Sequence, residues 1–173
     1  MSGRRVVMVA LALSAAAGMG LMTEPASAQQ KEVLIGMQCD RTGATQITGV
    51  VLCPAMHDYY DLINAGGGVE GYTIKADEID NEYKVPQAVE AYQRMKGDGA
   101  TSIMAYGTPQ VQALNQKFAE DKIPGTSPGF GIAASADGKR FPYLFPIAAT
   151  YWSQGAGAIQ YVKDRLGGSL EGK

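Results

Sequence analysis

The sequence predicts an α/β fold, a doubly wound parallel sheet with helices on both faces. Three observations carry that expectation. Short apolar runs of strand character alternate four times with stretches whose apolar residues recur every three or four positions, and the connections between them are short. The third is Ser102-Ile103-Met104-Ala105-Tyr106-Gly107-Thr108-Pro109-Gln110, which reads as an apolar strand, a glycine turn and a helix start. Proline suits the first helical position, because the amide it lacks has no partner there, and Thr108 is placed to cap the free amides of the first turn. Such a turn lies at the carboxyl edge of a parallel strand, where open α/β sheets take small ligands.

In chain order, Glu32 to Met37 is a largely apolar run, as in a strand covered on both faces, followed by a polar turn from Asp40 to Gln46. A helix is expected from about Gly49 to Ala65, its regular part delayed by Pro54. Tyr72 to Ile79 alternates in character, which places it nearer a sheet edge. Asp80 to Lys84 is a polar turn, and Pro86 opens a helix that ends near Lys96 before Gly97-Asp98-Gly99. A third helix spans about Pro109 to Glu120, then come short strands at Gly125 to Pro128 and Tyr143 to Ile147. Ser153 to Leu166 reads as a last helix with Ala156, Ile159, Val162 and Leu166 at core spacing. A glycine-rich turn after it normally feeds another strand, so the chain is expected to be truncated just before one.

Residues 1–28 have the form of a cleaved signal peptide: Arg4 and Arg5, an apolar run from Val6 to Met22, and Ala26-Ser27-Ala28. Residues 29–173 would then form one domain. Removing Arg4 and Arg5 from 15 basic residues and Glu24 from 17 acidic ones leaves 13 and 16, a net charge of −3 that argues against nucleic acid as a partner. In an exported chain, Cys39 and Cys53 are expected to form a disulfide. A metal site is not expected, because His57 would be only the third ligand beside the two cysteines and nothing in the sequence marks a fourth.

Two motifs are set aside. Gly66, Gly68 and Gly71 satisfy G-x-G-x-x-G but follow a helix and lead into a strand, the reverse of a dinucleotide site, so they read as a helix end and a tight turn. Asp77, Glu78, Asp80 and Glu82 crowd four carboxylates together, but the spacing fits no calcium loop and reads as a solvated turn.

From Glu32 to about Leu166 the chain resembles the periplasmic leucine/isoleucine/valine-binding protein family, the solute receptors of ABC importers. The likeness rests on Ile35-Gly36 leading to Thr42-Gly43, on Asp61-Leu62-Ile63-Asn64-Ala65-Gly66-Gly67-Gly68-Val69-Glu70-Gly71, on Gln87-Ala88-Val89, and on Glu120-Asp121-Lys122-Ile123-Pro124 ahead of Ser127-Pro128. The resemblance implies the N-terminal lobe of a two-lobe periplasmic receptor, with the second lobe absent. It implies no cofactor, a small and carboxylate-bearing ligand, an inner-membrane ABC permease as partner, and a monomer. The family's serine-rich turn looks like Tyr106, Gly107, Thr108, Pro109 and Gln110 here, and its small-small-threonine turn looks like Gly129, Phe130 and Gly131. An aromatic residue of the first loop is matched by Thr48. Pro109 removes an amide donor, Gly131 lacks a hydroxyl and Phe130 adds a ring. These departures favour an amino acid, amide or organic or aromatic acid over a strictly branched-chain ligand, with Phe130 or Tyr106 either walling the site or packing into the core.

Two other functions remain. A sensor domain of the same fold is indistinguishable at the level of one lobe. An exported α/β hydrolase would need a nucleophile and base, but no G-x-S-x-G elbow or Walker loop occurs, and His57 reads as a surface side chain away from the carboxyl-edge turns. The chain is therefore not expected to be an enzyme.

Overall fold

The computed structural model describes residues 31–127 and 131–172. The expected signal peptide, Gly129 and Phe130 lie outside the described residues. Strands β1 (Lys31–Cys39), β2 (Tyr72–Asp80), β3 (Ser102–Met104), β4 (Gly125–Ser127) and β5 (Leu144–Pro146) form one sheet in the order β2-β1-β3-β4-β5. Each pairing is parallel, so every carboxyl end lies on one edge. Helices α1 (Gln46–Ala65), α2 (Val85–Gly97) and α3 (Thr108–Asp121) follow β1, β2 and β3, and α4 (Tyr151–Arg165) follows β5.

Strand alternation divides the core. Met37 and Cys39 of β1 and Met104 of β3 point to the face covered by α1, where Cys53 joins them. Ile103 and Ala105 point the other way, into a larger cluster with Tyr92 and Met95 of α2 and with Val111, Leu114 and Phe118 of α3. Tyr92 and Phe118 meet edge to face at 5.5 Å, the favoured aromatic geometry. Helices thus cover both faces, and alternating β2 lies at the sheet edge as its pattern implied.

Three expectations change. Helix α1 begins at Gln46 and runs through Pro54. The turn before Pro54 is held without the missing amide: Cys53 is bonded to Cys39, with Cα atoms 6.4 Å apart, and Asp40 orders the residues leading into the helix. Helix α3 begins at Thr108 with Gly107 as its N-cap at φ 102°, and Thr108 makes no capping bond. Helix α4 buries none of its residues: Ile159, Val162 and Leu166 are exposed although their spacing is that of a core face. The periodicity reported an amphipathic helix correctly, but among the described residues no sheet lies beneath that stripe.

Candidate functional site

From β1 the chain steps to β2 on one side and then to β3 on the other, so the order reverses between the carboxyl ends of β1 and β3. That reversal opens a crevice in a parallel sheet. The loop after β1 and the turn after β3 line it, and the Tyr106 hydroxyl reaches the Thr45 carbonyl across it at 3.5 Å.

The first loop is built on buried Asp40. Its carboxylate accepts from the Gly43 amide at 2.5 Å, the Thr45 amide at 2.6 Å and the Thr45 hydroxyl at 2.7 Å. Gly43 and Gly49 are needed for contact: a Cβ at Gly43 would strike the Glu82 carbonyl, and one at Gly49 the Asp40 carbonyl. Thr48 lies beyond this loop in the first turn of α1, exposed, its amide donating to the Thr45 carbonyl at 2.9 Å.

Asn81 holds the turn after β3. Its side-chain amide donates to the Tyr106 carbonyl at 2.9 Å and to Gln38 Oε1 at 3.2 Å, while Gln38 Nε2 donates to the Ala88 carbonyl at 2.8 Å. Gly107 then turns the chain with a positive φ that side chains rarely adopt. A Cβ there would collide with the Gln110 carboxamide and the Tyr83 ring. The five residues of this turn separate. Tyr106 is fully buried and packs edge to face on Tyr83, centroids 6.4 Å apart, so its ring belongs to the core. Thr108 is half-exposed, with its hydroxyl 2.9 Å from that of Tyr151. Pro109 is exposed. Gln110 is fully buried, and neither its Nε2 nor its Oε1 has a hydrogen-bond partner among the described residues.

Two contributors escape the sequence reading. Tyr83 follows β2 and, with Glu82, sits in the left-handed region, at φ 56° and 52°. Such strain in two successive side-chain-bearing residues persists only where surroundings impose it. Here Asp80 Oδ1 takes the Glu82 amide at 2.8 Å and Asn81 Oδ1 takes the Tyr83 amide at 2.9 Å. Burial, then the neighbouring Tyr151 and Tyr106, raise the pKa of Tyr83, and the Thr108 backbone amide works the other way. Tyr151, the second, opens α4; its amide donates to the Gly131 carbonyl at 2.6 Å. The only signal in the sequence was an aromatic residue in a polar turn or beside a helix cap, which is too common to single out.

Gly131 is buried, and a Cβ would run into the backbone of Ala149 and Thr150. That close approach accounts for glycine where the resemblance leads to threonine.

Glu78 and Asp80 correct the solvated-turn reading. Glu78 accepts from Arg41 Nε at 2.6 Å and Nη2 at 2.8 Å, and lies 2.7 Å from His57 Nε2. Asp80 accepts from the Arg41 amide at 3.0 Å and the Thr42 hydroxyl at 2.7 Å. Burial works against the charged form of each carboxylate, but these donors outweigh it and both pKa values fall below the ordinary range. His57, read as a surface side chain, is therefore tied to the sheet and only 37% exposed.

The family described as periplasmic binding protein matches residues 32–170. Among solved structures, an ABC transporter permease from the Pseudomonas fluorescens group is 31% identical with a TM-score of 0.70, over 80% of this chain and 35% of that one. A fatty acid ABC transporter substrate-binding protein from Thermomonospora curvata is 25% identical with a TM-score of 0.67, over 78% and 34%. A branched-chain amino acid ABC transporter from Thermus thermophilus with bound valine shares the fold at 20% identity and a TM-score of 0.69, over 79% and 36%. The chain thus spans about a third of the length of these structures. Among curated proteins none matches it.

Proposed function

The chain belongs to the periplasmic binding protein family, and from that premise we propose that it is the ligand-gripping first lobe of a solute receptor for an ABC importer. In this reading residues 1–28 direct export, the receptor works in the periplasm as a monomer, and an inner-membrane permease receives its cargo. A second lobe closes over the solute, and the ligand acts by favouring the closed state, with no bond made or broken.

One observation carries the reading: the hydroxyls of Thr108 and Tyr151 meet at 2.9 Å where strand order reverses, beside the start of α3, with Tyr83 as their neighbour. Two hydroxyls suit the carboxylate of a small solute, since each can donate to one of its oxygens. The rings of Tyr83 and of Tyr151, a residue 43% exposed, supply apolar wall for the body of an aromatic or aliphatic acid. Thr48 and the Gly129-Phe130-Gly131 turn are further candidate contacts, because β1 and β4 flank β3 and share its carboxyl edge.

A thermal-shift screen of the full-length receptor against amino acids, amides and aliphatic and aromatic acids identifies the solute, since a ligand well above its Kd raises the melting point. Thr108→Val should then weaken a carboxylate ligand by about 1–3 kcal/mol, the cost of depriving a buried charged group of a donor. Unchanged affinity by calorimetry removes Thr108 from the site.

A further inference from the structure

We propose that Cys39, Cys53, His57 and Glu78 form a zinc site that becomes available when the Cys39–Cys53 bond is reduced. The two sulphurs and a Glu78 carboxylate oxygen all lie within 4.8 Å of one another. His57 Nε2 is 2.7 Å from Glu78 Oε2. The sequence alone marked three of these ligands, and the fold supplies the fourth. Cys53 and His57 are four residues apart on α1 and therefore project from one face on successive turns. Cys39 ends β1, and Glu78 is paired with Met37 across the β1–β2 ladder, so it sits on the same sheet face as Met37 and Cys39.

Two thiolates, an imidazole and a carboxylate are a donor set that tetrahedral zinc accepts, with Zn–S near 2.3 Å and Zn–N or Zn–O near 2.1 Å. Those bond lengths place neighbouring donors about 3.3–3.8 Å apart, and the two sulphurs and the Glu78 oxygen already lie within 4.8 Å of one another. Charge also closes. Two thiolates and one carboxylate against a divalent ion leave one negative charge, and the Arg41 guanidinium, whose Nε is 2.6 Å from Glu78 Oε1, offsets it; the contacts of Arg41 Nη2 and His57 Nε2 with Oε2, at 2.8 and 2.7 Å, give way to the metal.

The chemistry balances with a dithiol as reductant. It gives two electrons and two protons to the Cys39–Cys53 bond and becomes a disulfide itself. Zinc then displaces both thiol protons, so its affinity falls in acid. A disulfide oxidant then takes two electrons from the two thiolates and becomes a pair of thiolates itself, the Cys39–Cys53 bond re-forms, and the zinc ion is released. The end of β1 is thus fastened to α1 by either a covalent bond or an ion.

The test titrates the full chain, reduced by a dithiol that is then removed anaerobically, with Co2+ as a spectroscopic probe and Zn2+ as competitor. The expected result is one equivalent of cobalt with thiolate charge-transfer and tetrahedral visible bands, displaced by zinc, and none in the oxidised chain. Glu78→Gln and His57→Ala should each weaken zinc by about tenfold or more, since even outer-shell partners of a metal cost that much. Equal binding by oxidised and reduced protein, or unchanged zinc affinity in both variants, overturns the proposal. So does a reduced chain whose circular dichroism stays that of an unfolded protein with zinc present.

Discussion

Gln110 offers the most direct check on the turn after β3. Its side chain is fully buried, and both amide atoms are without partners among the described residues. Leaving an amide in that state costs about 1–3 kcal/mol by mutational measure. Gln110→Met keeps the length of the side chain and removes the amide, so it should raise stability by about that amount. For a domain of this size that is a rise of roughly 4–12 °C in Tm. Urea unfolding followed by circular dichroism reads the change as a higher midpoint at constant slope. Gln112→Met, exposed two residues along the same helix, is the control and should stay within about 0.5 kcal/mol of the parent. A loss of stability in Gln110→Met, with the control unchanged, would refute the reasoning by showing that the buried carboxamide does bond in solution.

Three other perturbations read other parts of the molecule. Cys53→Ala opens a loop with a sequence separation of 14 residues and should cost about 3 kcal/mol in the chain-entropy account, measured by urea unfolding. Because the folded pKa values of Glu78 and Asp80 are depressed, their stabilisation is present above the unfolded values near 4 and is lost as pH falls through the folded ones. Glu78→Gln and Asp80→Asn should therefore flatten the acid limb of a stability–pH curve, and an unaltered limb contradicts the network. Gly131→Ala should destabilise by about 1–3 kcal/mol through its collision with the backbone at Ala149 and Thr150, and a neutral thermal melt would deny that close approach.

The sheet was legible because parallel strands buried on both faces read as short apolar runs, and the helices between them as three- and four-residue repeats. Elements expected at Glu32, Tyr72, Pro86 and Gly125 all form. What could not be read was pairing in space. Glu78 looked like one carboxylate in a polar run, and only the β1–β2 register brings it under α1 to Arg41 and His57. Tyr83 could not be distinguished from any turn tyrosine, since its role depends on a left-handed backbone that Asp80 and Asn81 impose. The stripe on α4 failed for another reason: amphipathicity states which face is apolar, not whether anything covers it. Gly107 and Thr108 were recognisable as a turn, but their division of labour, glycine capping and threonine facing Tyr151, follows from a positive φ that no residue pattern records.

Helix α4 is tied to the crevice at its first residue. Tyr151 holds it by two bonds, its amide to Gly131 and its hydroxyl to Thr108, and no residue after it is buried along the length of α4. A solute that takes the Thr108 hydroxyl for itself removes one of those two moorings. Loading of the crevice and the anchoring of the first turn of α4 would then be set at the same oxygen atom, and amide exchange in that turn would report on occupancy.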